Sequence, residues 1–114
     1  MSSIRNKVQL IGRLGTKPEL KEFESGKKKV SFSLATNEYY YNKAGERVEE
    51  TTWHNLAAWD KTAENLSKLL DKGAEIAIEG KITNRSYEDK DGVKKYLTEI
   101  IIDEFVLFGE KVTQ

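Results

Sequence analysis

The chain has 114 residues, 38% of them apolar and 33% charged, and its 19 basic side chains are balanced by 19 acidic ones. That length suits one domain, able to bury roughly two-thirds of its unfolded surface, and zero net charge argues against a strongly basic nucleic-acid binder. The absence of cysteine excludes disulfides, thiolate metal sites and cysteine nucleophiles, and fits a reducing compartment.

The opening segment, "MSSIRNKVQLIG", carries Arg5 and Lys7 and no long apolar run, so no signal peptide is expected. No stretch approaches ~18 uninterrupted apolar residues, so no membrane span is expected either. Val8, Leu10, Gly12 and Leu14 alternate with Lys7, Gln9, Ile11 and Arg13, which predicts a first strand. "GTKPEL" and "ESGK" follow as two turns, the second around Gly26. Val30, Phe32, Leu34 and Thr36 alternate with Ser31, Ser33, Ala35 and Asn37 in a second strand that runs on to Tyr41 and breaks at "NKAGE". Val48 to Trp59 reads as the third strand, making a long hairpin with the second. Residues 60–72 change to a helical period at Ala63, Leu66, Leu69 and Leu70, with Asp60 as the expected N-cap and Gly73 as the expected left-handed C-cap. Ile76, Ile78, Gly80 and Ile82 open a fourth strand, "EDKDGVKK" turns at Asp91-Gly92, and Leu97 to Phe108 closes as a fifth. That last strand is apolar on both faces, which suits either a subunit contact or a tightly packed barrel. No internal repeat or linker is evident. Five strands with one helix between the third and fourth is the order of an OB-fold, an all-β, five-stranded Greek-key barrel.

Catalysis has little material. His54 is the only histidine, on the Leu56 and Ala58 side of its strand, and no nucleophile elbow or phosphate loop is present. "GRLG" at 12–15 ends a strand and reads as a close-packing and turn device. No metal site, no cofactor and no enzymatic activity is expected.

Binding has more. Alternation puts Trp53, Asn55, Ala57 and Trp59 on one strand face, and Lys81, Thr83, Arg85 and Tyr87 on another of the same parity. Such a face could pack against protein, or something flat could lie on it. Unpaired bases stack on aromatic rings while phosphates need nearby Lys or Arg, so rings interleaved with cations suit single-stranded nucleic acid. Nothing resembles the basic helix that a duplex groove would take. Charge is unevenly spread, with nine basic against four acidic residues over 1–43 and ten against fifteen over 44–114, which can set a local positive field on a neutral molecule. Tyr39, Tyr40 and Tyr41 cannot all be core, since neighbours alternate sides; a clasp on another subunit is the alternative use of this run.

The segments "NKVQLIGRLGTKPEL", "VSFSLATNE", "TTWHNLAAWDKTAE", "LLDKGAEIAIEGKI" and "RSYEDKDGVKKYLTEI" together resemble the bacterial single-stranded DNA-binding protein family over nearly the whole chain. The resemblance implies one OB-fold single-stranded-DNA-binding domain over 1–114, a cytoplasmic, nucleoid-associated homotetramer, and non-specific wrapping of single-stranded DNA in replication, recombination and repair. It implies base stacking by Tyr40, Trp53, Trp59 and Tyr87, with Tyr40 needing a bend or bulge to reach the tryptophan side and Tyr39 and Tyr41 open as substitutes. Lys7, Arg13, Lys61, Lys72, Lys81 and Arg85 are the phosphate candidates, and His54 matches a subunit-interface histidine. Family members continue into a tail with an acidic, apolar-ended tip; this chain stops at "FGEKVTQ", so tail-dependent protein partners are not expected. An OB-fold protein-interaction subunit, with the aromatic face as a dry interface, is the alternative from a different class.

Overall fold

The computed structural model describes residues 4–108; residues 1–3 and 109–114 lie outside the described residues. Six strands and one helix follow in the order β1 (Val8–Leu14), β2 (Glu19–Glu22), β3 (Lys28–Tyr41), β4 (Arg47–Trp59), α1 (Asp60–Leu69), β5 (Glu75–Glu88) and β6 (Lys94–Leu107). The sheet runs β1-β5-β6-β4-β3-β2, and β1 also pairs with β3 at Arg13↔Ala35 and Leu14↔Leu34, which closes β1, β3, β4, β5 and β6 into a barrel. β2 is an addition to the expected five strands. Its four residues are all exposed, so it carries no alternation to read, and it forms by antiparallel pairing on the edge of β3.

The apolar set of each strand fills the barrel: Val30, Leu34, Leu56, Ile76 and Ile78 are fully buried, and Ile100 and Ile102 join them from β6. Helix α1 adds Ala63 and Leu66 to this core. The helix departs from its expected ends. Asp60 lies in the left-handed region, φ 52°, and makes no cap bond; its Oδ1 accepts the Lys28 backbone N–H at 3.1 Å, so the carboxylate ties the helix start to β3 instead. The helix stops at Leu69, and Gly73 takes its positive φ in the following turn. Lys28 also donates to Glu64, one turn into the helix. That hydrogen bond and the ammonium charge hold the Glu64 carboxyl below the ordinary carboxylate range.

Two glycines let backbones meet where no side chain fits. A Cβ on Gly12 would lie 2.2 Å from the Ala35 carbonyl oxygen, and one on Gly80 would lie 2.0 Å from that of Ile101. Gly80 sits at the register shift of the β5–β6 pair, where a bulge bends the strand around the barrel. The close-packing reading of "GRLG" holds at both of its glycines, because a Cβ on Gly15 would strike the Trp53 ring at 2.4 Å.

The outer halves of the β3–β4 and β5–β6 hairpins are almost wholly exposed. Their tips share one build. Asn42 Oδ1 accepts the N–H groups of Ala44 and Glu46, and Asp89 Oδ1 accepts those of Asp91 and Val93, each at 2.9 Å. Gly45 and Gly92 follow with positive φ. Behind the tips, Thr51 donates to Asn37 and Thr98 to Asn84, both at 2.7 Å. The chain therefore carries an internal echo not expected from the sequence: Thr36, Asn37, Tyr40, Asn42, Lys43, Gly45 and Thr51 recur as Thr83, Asn84, Tyr87, Asp89, Lys90, Gly92 and Thr98.

Candidate nucleic-acid interface

Residues paired across a ladder share a face of the sheet. The β3–β4 register therefore places Lys29, Ser31, Ser33 and Ala35 beside Trp59, Ala57, Asn55 and Trp53. Ala57 stands next to Ile101 on β6, and the β6–β5 pairs Ile101↔Lys81, Glu99↔Thr83, Leu97↔Arg85 and Lys95↔Tyr87 carry the same face onward. One continuous surface over four strands thus holds Trp53, Trp59, Lys81, Arg85 and Tyr87. The shared strand parity read from the sequence thus becomes one shared face.

The two tryptophans sit differently on it. Trp53 is 60% exposed, and its ring edge lies over Gly15, where the missing side chain makes room. Trp59 is 38% exposed and has neighbours: Phe23, from the β2–β3 loop, is 6.2 Å away between ring centroids, and Lys29 and Lys27 hold their ammonium groups 5.3 and 6.0 Å from the ring. Phe23, Lys27 and Lys29 were not expected from sequence. They come from a loop and a strand start some thirty residues earlier, and only the Lys29↔Trp59 pairing shows that they meet.

Beneath this surface lies Glu99, 6% exposed and the one buried charged residue among those described. Arg85 Nε donates to its Oε1 at 3.3 Å, and Lys29 Nζ stands 3.6 Å from its Oε2. Two cations meet one carboxylate, which offsets the several kcal/mol that desolvating such a charge would otherwise cost and leaves a surplus positive charge on the sheet face.

The tyrosine run divides by register. Thirteen β3–β4 pairs run unbroken from Lys29↔Trp59 to Tyr41↔Arg47, so there is no bulge to turn Tyr40 over. It stays on the Phe32 side, paired with Val48, while Tyr39 and Tyr41 lie on the tryptophan side. Those two rings meet edge to face, with centroids 6.2 Å apart, and the Arg47 guanidinium lies 4.0 Å from the Tyr39 ring.

The phosphate candidates also separate. Lys81 and Arg85 belong to the shared face, and Lys61 is exposed in the first turn of α1. Arg13 donates to the Gly73 carbonyl at 3.1 Å and faces Glu75 at 3.7 Å. With Lys72 it lies at the far end of α1, a helix of roughly 15 Å. Lys7 is held 2.6 Å from Glu79, and this hydrogen bond and carboxylate charge raise the Lys7 ammonium above the ordinary lysine range. His54 is half-buried, with Nε2 3.0 Å from Thr36 Oγ1. Among the described residues no group of three or more acidic or histidine side chains converges to hold a metal ion.

A closed barrel of five strands with one helix between β4 and β5 is an OB-fold. The chain belongs to the single-strand binding protein family, whose sequence model matches residues 5–108; this is a family of binding proteins, not enzymes. The single-stranded DNA-binding protein 1 of Chlorobaculum tepidum is 45% identical over 107 residues, covering 93% of this chain and 66% of that protein. The single-stranded DNA-binding protein of Neisseria meningitidis is 40% identical over 104 residues, covering 91% of this chain and 60% of that one. The chain thus spans 60–66% of the length of these relatives. A Plasmodium falciparum SSB solved in complex with single-stranded DNA superposes with a TM-score of 0.81 at 32% identity, covering 95% of this chain and 97% of that one.

Proposed function

We propose that this chain binds single-stranded DNA without sequence preference, stacking bases on exposed rings and meeting phosphates with nearby cations. The observation that carries this reading is the single sheet face holding Trp53, Trp59, Lys81, Arg85 and Tyr87. A solvent-exposed tryptophan pair beside a surplus of positive charge suits a ligand that offers flat apolar faces and anions in alternation. Tyr39 and Tyr41 extend the face along one hairpin arm, and Tyr40 is a contact for a strand that wraps around that arm. The setting we propose is the cytoplasm, where such binding protects single strands during replication, recombination and repair.

The same proposal includes self-association into a homotetramer. Ile11, Ala77 and Val106 form a row across β1, β5 and β6 on the outer surface, with Ile11 and Val106 exposed. β1 also pairs with β3 only at Arg13 and Leu14, so the Val8–Gly12 edge on that side has no strand partner among the described residues. Apolar rows and open edges of this kind are covered by assembly. His54 lies in a groove with Ile11, Thr36 and Thr52, next to this edge.

Titration with poly-dT is expected to quench tryptophan fluorescence strongly, and the log–log salt slope should be negative by about 0.7 per phosphate neutralised. Unchanged emission would point to the dry protein interface instead. Light scattering at micromolar concentration is expected to report four copies of the 13.0 kDa chain; a monomer would remove the assembly from the proposal.

A further inference from the structure

The β2–β3 loop, Phe23 to Lys27, has the hydrogen bonds of the two hairpin tips. Phe23 N–H donates to the Lys27 carbonyl at 2.8 Å, Gly26 N–H donates to the Phe23 carbonyl at 2.9 Å, and Gly26 has φ 93°. The tips begin with Asn42 and Asp89, whose side chains each satisfy two loop N–H groups. Phe23 occupies the same position and can satisfy neither. It is an apolar ring, 42% exposed, where the local chemistry of the loop wants a short acceptor. A local rule broken at an exposed position is a sign of function.

Its surroundings say what function. Phe23 lines a groove of about 560 Å³ with Lys21, Lys29, Ser31, Arg85 and Glu19. Trp59 stands beside Phe23, 6.2 Å from it between ring centroids and tilted 31° to it. Glu99 fixes Lys29 and Arg85 from beneath. Lys21, Lys29 and Arg85 outnumber Glu19 and Glu99, and Lys27 beside Trp59 adds to the excess. The groove therefore offers two apolar side chains, Phe23 and Leu20, beside a positive charge surplus, in a volume suited to a small ligand.

We infer that this groove is a further nucleotide subsite, in which a base stacks on Phe23 next to Trp59 and the adjoining phosphate is met by Lys21, Lys29 and Arg85. The subsite rests on the single-strand reading above and extends the path from β4 across β3 to β2.

The rival role for Phe23 is packing support for Trp59, which leucine would also supply. Affinity for an oligo-dT of fixed length, by fluorescence anisotropy, separates the two. Phe23→Leu and Phe23→Ala should both weaken binding, by about 5- to 150-fold for a lost stacking ring, while Phe23→Trp should keep wild-type affinity. Urea midpoints close to wild type should accompany all three, since the ring is half-exposed. Wild-type affinity in Phe23→Leu, with Trp53→Ala in the same assay weakened, would overturn the subsite and leave the main reading standing. A wild-type chain that did not bind oligo-dT would overturn both.

Discussion

Gly80→Ala is expected to lower stability by about 3 kcal/mol or more, the upper end for forcing extra atoms into packed structure. The added methyl would sit 2.0 Å from the Ile101 carbonyl oxygen, 2.8 Å from its carbon and 3.1 Å from the Ile102 Cα. All three are backbone atoms, so no side chain can swing away. Nor can the backbone withdraw. β6 is held to β5 on one side by pairs that extend from Ile76↔Leu107 to Glu88↔Lys94, and to β4 on the other at Leu56 and Ala57. Relief would require reopening the bulge and moving Ile100 and Ile102 out of the core. Gly45→Ala is the control. Nothing lies within 4 Å of its Cβ position, and only its positive φ of 79° resists a side chain, so its loss should be about 1 kcal/mol. Urea unfolding at matched protein concentration reads both, because any self-association adds to apparent stability. The midpoint should fall with little change in slope. A Gly80→Ala midpoint no lower than that of Gly45→Ala would mean that the strands do not approach as closely as described.

What the sequence made legible follows from which signals are local. Alternation at Val30–Phe32–Leu34 and Ile76–Ile78 marks a buried face whichever strands become neighbours, so the barrel strands and their inward residues can be read directly. The shared parity of Trp53, Trp59, Arg85 and Tyr87 becomes a shared surface because β6 joins β4 and β5 without changing sides at Ala57, Ile101 and Lys81. β2 is invisible because "ELKE" is exposed throughout and exists only as an addition to the β3 edge. Asp60 is a good N-cap by composition, yet the left-handed turn out of β4 aims its carboxylate at Lys28. Glu99 looks like an ordinary surface carboxylate until Lys29 and Arg85 are brought to it from two other strands. The Asn/Asp-Lys-x-Gly tips were readable in principle, because the same residues recur at a fixed offset. Their odd offset reverses strand parity, so Tyr40 and Tyr87 match in the echo although register places only Tyr87 on the tryptophan surface.

Replacing both tryptophans by alanine should give the largest loss of single-strand affinity of any pair on this surface. Each stacked base contributes roughly 1–3 kcal/mol by alanine substitution. Trp53 and Trp59 are six residues apart on β4, roughly 20 Å along an extended strand, so they meet different bases and share no partner. Losses at separated sites add, and the double variant should lose about 2–6 kcal/mol, or roughly 30-fold to more than 10⁴-fold in affinity. The two contributions should not be equal. Trp53 has the more open ring, and stacking gains the area that a base can cover. Trp59 already has Phe23, Lys27 and Lys29 against it, so an incoming base must share or displace them. Trp53→Ala is therefore expected to cost more than Trp59→Ala. Stability should change little, because neither ring belongs to the buried core. In a Trp53→Phe chain, Trp59 is the only tryptophan and its quenching by oligo-dT reports on that end of the face alone. Anisotropy titrations of the two single variants and the double variant at one salt concentration read the energies. A double variant no weaker than Trp53→Ala would show that Trp59 takes no base, and equal affinity in all three variants and the wild type would move the strand off this face.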